Sequence, residues 1–89
     1  MEIYIIYGIT DCPACLMAQA VLMEAGIEYA FVEMDFSRTY RESVKEEFQW
    51  NTFPVIIRID PEAEELVGGY DELISELEEK IKAPTGIVH

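Results

Sequence analysis

The chain is poor in bases. Its 89 residues carry 6 Lys and Arg against 18 Asp and Glu, a formal net charge of −12. So acidic a surface repels phosphate backbones, and nucleic-acid binding is not expected. Anionic lipid is repelled for the same reason. Long apolar runs are missing too: none approaches the roughly 20 residues that cross a bilayer. The opening Met1-Glu2-Ile3-Tyr4 lacks the basic start and apolar stretch of a signal peptide. The expectation is no membrane and a cytoplasmic location. Histidine is nearly absent, with His89 alone, and the only cysteines are Cys12 and Cys15. A structural zinc site usually takes four Cys or His ligands, so no metal is expected. In a reducing cytosol, a cysteine pair suits catalysis better than a structural cross-link.

What is present fits one globular domain. A composition of 51% hydrophobic and 27% charged residues is too apolar for a disordered chain. At this length the core is modest. The acidity serves solubility, and it also favours docking onto basic protein surfaces.

Ile3-Tyr4-Ile5-Ile6-Tyr7 is an apolar, β-rich run closed by Gly8, and reads as a buried strand. Pro13 suits the first position of a helix, where no N–H is lost. Leu16, Ala20 and Met23, with Met17 and Val21 beside them, recur at helical spacing to about Glu24, and Gly26 fits just past the end. Tyr29 to Asp35 reads as a second strand, parallel to the first. Ser37 or Thr39 can cap a second helix to Phe48 or Gln49, marked by Tyr40, Val44 and Phe48. Phe53 to Ile59 and Glu64 to Val67 read as an antiparallel pair of strands around the Asp60-Pro61-Glu62 turn. Asp71 begins a last helix with Leu73, Ile74, Leu77 and Ile81 on one face, and Pro84 stops it. The tyrosines and methionines are expected mostly at core-facing positions. The order β-α-β-α-β-β-α implies an α/β fold, a four-stranded mixed sheet flanked by helices. Residues 1–82 form the domain, and 83–89 a flexible tail.

The chemistry centres on Cys12-Pro13-Ala14-Cys15, placed where a strand gives way to a helix. The free N–H groups and dipole of a helix N-terminus stabilise an anion there, which favours the reactive thiolate. Cys12 is expected to be the more exposed of the pair and the nucleophile. Cys15, one turn on, can resolve a mixed disulfide by attacking it. A lone C-x-x-C is moderately specific, and a surrounding βαβ pattern makes it a redox signal. Thr52-Phe53-Pro54 is the second feature. A cis Phe53–Pro54 bond would turn the Phe53 backbone toward Cys12, where it can pair with an extended thiol peptide. The third is Gly68-Gly69-Tyr70-Asp71. Free N–H groups at that helix start suit a carboxylate, and Asp71 an ammonium. The γ-glutamyl end of glutathione carries both on one carbon. Trp50 fits core or loop packing better than a substrate groove.

These three segments, in order and spacing, resemble the glutaredoxins over nearly the whole chain, from about Ile3 to Lys82. The short, acidic form is most similar to bacterial and phage members. The resemblance implies a thioredoxin fold, a cis-proline at Pro54 and glutathione as reductant. It also implies that Thr52, Phe53, Pro54, Gly69, Tyr70 and Asp71 hold glutathione or substrate. Implied partners are disulfide-bearing proteins such as ribonucleotide reductase, and glutathione mixed disulfides, with the protein a monomer by default. Two departures stand out. Ala14 occupies a position where many glutaredoxins have tyrosine, leaving Tyr7 or Tyr70 to supply an aromatic wall. The stretch Gly8-Ile9-Thr10-Asp11 lacks the lysine often found before the first cysteine. Asp11 opposes a thiolate by like-charge repulsion, so Cys12 is expected to be less acidic than is usual in the family. The missing lysine leaves open a redoxin reduced by thioredoxin reductase. The small Ala14 leaves open a carrier of a glutathione-ligated [2Fe–2S] cluster, although the intact dithiol favours catalysis.

Overall fold

A computed structural model describes the backbone of residues 2–88 and the side chains of residues 2–80. Strand β1 (Ile3–Gly8) runs into helix α1 (Pro13–Glu24), then β2 (Tyr29–Glu33) and α2 (Arg38–Phe48). The hairpin β3 (Val55–Ile59) and β4 (Glu64–Gly68) follows, and α3 (Tyr70–Val88) ends the chain. This is the β-α-β-α-β-β-α order that the periodicities predict. The sheet order is β2-β1-β3-β4. Strand β1 pairs parallel with β2, Tyr4 opposite Tyr29, and antiparallel with β3, Ile5 opposite Ile57. The β3–β4 ladder is antiparallel and shifts register between Ile56 and Ile57.

Alternation along β1 divides the core between two faces, as a period of two requires. Tyr4 and Ile6 pack with Ile56, Ala18 and Leu22 of α1, and Leu73 and Leu77 of α3. On the other face Val55, Met34 and Val44 of α2 form a second cluster, with Tyr7, Phe48, Trp50 and Phe53 against it. One sheet thus carries two helices on one side and one on the other. The layers are pinned by a polar network. The Tyr4 hydroxyl donates to Glu76 (2.5 Å), and Arg58 pairs with Glu76 (2.7 Å), with Glu65 and, at 3.7 Å, with Glu2.

Several boundaries differ from expectation. Helix α2 is capped by Ser37, whose Oγ accepts the Tyr40 N–H (3.1 Å), and not by Thr39. It ends on Gln49 in the left-handed region, φ 56°. Strand β3 begins at Val55, not Phe53, because a cis Phe53–Pro54 bond precedes it and Pro54 has no N–H for the ladder. Strand β2 ends at Glu33, although the Met34 N–H still donates to the Gly8 carbonyl (2.8 Å). Helix α3 starts at Tyr70 and its backbone stays helical past Pro84 to Val88. Proline there removes one hydrogen bond but fixes φ at a helix-compatible value, so it is no absolute stop. Ile81 and the side chains of the expected tail lie outside the described residues. Met17, Met23 and Tyr40 are not core: they are exposed on the helix surfaces, and so is Leu16.

Candidate active site

Cys12 sits at the N-cap of α1 in extended conformation, φ −118° and ψ 98°. The carbonyl of Cys12 accepts the N–H groups of Cys15 (3.0 Å) and Leu16 (3.2 Å), so the helix begins on it. The Cys15 N–H also points at Cys12 Sγ, 3.1 Å away. An N–H held against sulfur at a helix N-terminus favours negative charge on that sulfur. The two cysteines form a disulfide, with Cα atoms 5.2 Å apart. Cys12 is half-buried, whereas Cys15 is closed off beneath it. Gly8 makes that burial possible. A Cβ on Gly8 would lie 2.9 Å from Cys15 Sγ and 2.7 Å from the Phe31 ring, so only glycine lets β1 pass so close.

Phe53 and Pro54 stand opposite. The Phe53 carbonyl oxygen is 3.9 Å from Cys12 Sγ. Beside them lies a concavity of about 330 Å³ lined by Ala14, Thr52, Phe53, Pro54, Gly69, Tyr70 and Asp71, with Trp50 and Glu72 completing it. All six residues expected beside the cysteines therefore share one groove with the Ala14 that separates them. A larger concavity of about 700 Å³ runs along α2 and reaches neither cysteine.

The wall at Gly68-Gly69 is built by backbone geometry. Gly68 has φ 125°, and a Cβ there would meet Glu72 at 2.8 Å and the Trp50 ring at 3.2 Å. Gly69 is the residue before α3, and its carbonyl accepts the Leu73 N–H (3.0 Å). Its own N–H donates to Glu72 Oε1 (3.0 Å), the reciprocal half of a capping box. The first N–H groups of α3 lack helical acceptors, and the residues at that helix start line the groove.

Two residues of the groove, Glu72 and Trp50, carry weaker signals in the sequence. Glu72 was readable, because an acid three residues after the cap is a capping signal. Trp50 was assigned to packing. It does pack in the α2-side cluster, but it also lines the groove, and its Nε1 is buried without a hydrogen-bond partner among the described residues. Of the two tyrosines expected to supply an aromatic wall, Tyr70 lines the groove. Tyr7 instead packs against Phe48, ring centroids 6.0 Å apart.

The approach to Cys12 is acidic. Thr10 donates its N–H to Asp35 (2.9 Å) and its hydroxyl reaches both Glu33 (2.9 Å) and Asp35. The bonds from Thr10, hydroxyl first, hold the Asp35 carboxyl below the usual range. Asp11 follows in the left-handed region, φ 58°, a conformation that Asp tolerates better than most residues.

The glutaredoxin family profile matches residues 4–62, from β1 through the β3 turn. The chain belongs to the glutaredoxin family. Among solved structures, glutaredoxin 1 from Francisella tularensis, crystallised with cacodylate, superposes with a TM-score of 0.75 at 23% identity, covering 92% of this chain and 99% of that one. A glutaredoxin from Brucella melitensis gives 0.65 at 28% identity, over 90% and 84%. The thioredoxin-like protein BC3987 gives 0.65 at 21%, over 85% and 96%. No curated protein matches the chain. The architecture is the thioredoxin fold, and this glutaredoxin is a thiol–disulfide oxidoreductase with Cys12 and Cys15 as its cysteine pair.

Proposed function

We propose that this glutaredoxin draws electrons from glutathione and passes them to protein disulfides and glutathione mixed disulfides, ribonucleotide reductase among the possible acceptors. The observation that carries this reading is the Phe53 carbonyl 3.9 Å from Cys12 Sγ, beside a groove that Phe53 lines together with Tyr70 and Asp71. An extended thiol peptide can pair with the Phe53 backbone as an added strand would. Its α-carboxylate then meets the start of α3, and its ammonium meets Asp71. Cys12 thiolate attacks the substrate disulfide and releases one thiol. Cys15 attacks the resulting mixed disulfide, releases the second thiol and closes the Cys12–Cys15 bond. Two glutathiones return two electrons, leaving the protein dithiol and glutathione disulfide. Residues 1–82 carry this unit, which we place in the cytoplasm as a monomer.

A second donor, thioredoxin reductase, is favoured by one feature: Asp11, Glu33 and Asp35 surround the approach where a base would hold a glutathione carboxylate. Reduction of a glutathione mixed disulfide, coupled to NADPH, separates the two. Turnover with glutathione and glutathione reductase, lost in Cys12→Ser, is expected. Turnover only with thioredoxin reductase would replace glutathione as donor.

A further inference from the structure

Helix α1 exposes an apolar stripe where a surface helix normally carries charge. Pro13, Leu16, Met17, Ala20 and Met23 are all exposed, Leu16 by 65% and Met23 by 66%. At 1.5 Å per residue the stripe is about 15 Å long. It starts between the two cysteines and carries no charge before Glu24. Contiguous exposed apolar surface of this kind marks a contact site. Acids flank it: Asp11 lies before it, Glu24 after it, and the adjacent α3 exposes Asp71, Glu72, Glu78 and Glu79 against one base, Lys80. Helices α1 and α3 lie on the same side of the sheet.

We propose that this face docks the protein substrate, and that the substrate presents its disulfide on an apolar segment bordered by basic residues. The inference deepens the reading above, in which Cys12 attacks a protein disulfide. Three observations select this occupant. The stripe is continuous with the redox pair, so a protein placing a disulfide at Cys12 covers Leu16 and Met17 as well. Its acidic border complements a basic rim and repels an acidic one. A net charge of −12 on every copy opposes self-association through the same face.

The test uses the protein with its cysteines pre-reduced and no glutathione present, in single turnover. Three twelve-residue peptides, each closed by one disulfide, serve as probes: leucines beside the cysteines with lysines at the ends, the same leucines with glutamates at the ends, and serines beside the cysteines with lysines at the ends. In each reaction the Cys12–Cys15 dithiol is oxidised and the peptide disulfide reduced by two electrons. The leucine–lysine peptide is expected to react about tenfold faster than either other. The preference is expected to vanish in the Leu16→Gln/Met17→Gln/Met23→Gln variant, while a small aromatic disulfide is still reduced at the original rate. Circular dichroism checks that α1 persists, and glutamine is a good helix former at exposed positions. Equal rates for the three peptides, or a preference that survives in the variant, would overturn the proposal and leave the glutathione reading intact. A dimer at micromolar concentration that the variant abolishes would assign the face to a second copy and overturn it too. Failure to reduce any disulfide would overturn the redox reading and this one together.

Discussion

Two residues outside the groove bear on the cysteine pair, Gly8 by packing and Asp11 by charge. Gly8 gives Cys15 its place, with no room for a methyl group between Phe31 and the sulfur. Gly8→Ala is expected to cost about 2 kcal/mol of stability by overpacking, read from the urea midpoint. An unchanged midpoint would mean that β1 is not confined there. Asp11 acts on Cys12 by charge. The helix N-terminus and the Cys15 N–H favour the thiolate, and the carboxylate beside them opposes it. Asp11→Asn keeps a residue that tolerates positive φ and removes the charge. The Cys12 thiol of the reduced variant is expected to titrate lower than in the native protein. Thiolate absorbance against pH measures it, and an upward shift would reverse the argument. The cysteines were legible in sequence because their chemistry is written in residue type and spacing. Trp50 was not, because one indole serves both the cluster and the groove, and composition cannot separate those uses.

At the scale of elements, the α3 cap and the network beneath α3 are the parts most open to test. Glu72→Ala removes the acceptor for the Gly69 N–H and is expected to cost about 1 kcal/mol. If Gly69 and Tyr70 form the glutathione wall, the KM for glutathione rises as well; a stability loss with KM unchanged would take that wall out of the site. Glu76 is half-buried. Burial raises its pKa, but the bonds from Arg58 and Tyr4 outweigh it and leave the carboxyl below its usual value. A pKa depressed in the folded state contributes stability above the unfolded value, about 4.3, that is lost as pH falls through the folded one. The stability difference between the native protein and Glu76→Gln is therefore expected to be on the order of 1 kcal/mol at pH 7 after screening, and to shrink as pH falls below the unfolded carboxylate value. A difference independent of pH would exclude the ionised network as its source. Element order was legible throughout, since strands and helices follow distinct periods. The outward face of α1 was not. Leu16, Met17, Val21, Leu22 and Met23 make that helix apolar on nearly all sides, so no period selects which side the sheet covers. Packing chose Cys15, Ala18 and Leu22. The end of α3 was misread because Pro84 weakens a helix without forbidding it.

For the whole molecule, charge and shape divide the surface by use. The start of α1, the segment from Trp50 to Pro54 and the start of α3 line one groove, so three segments distant in sequence meet there. The chain as a whole is strongly acidic, and α1 exposes an uncharged apolar stripe beside the groove. In the proposed function, glutathione occupies the groove between Phe53 and Asp71. The most direct measurement attaches glutathione to Cys12 in the Cys15→Ser protein, where no resolving thiol can release it, and records backbone amide shifts by NMR. The account predicts that the largest changes fall on Thr52, Phe53 and Val55 and on Gly69 through Glu72. Changes concentrated along α2, with those segments unmoved, would contradict it.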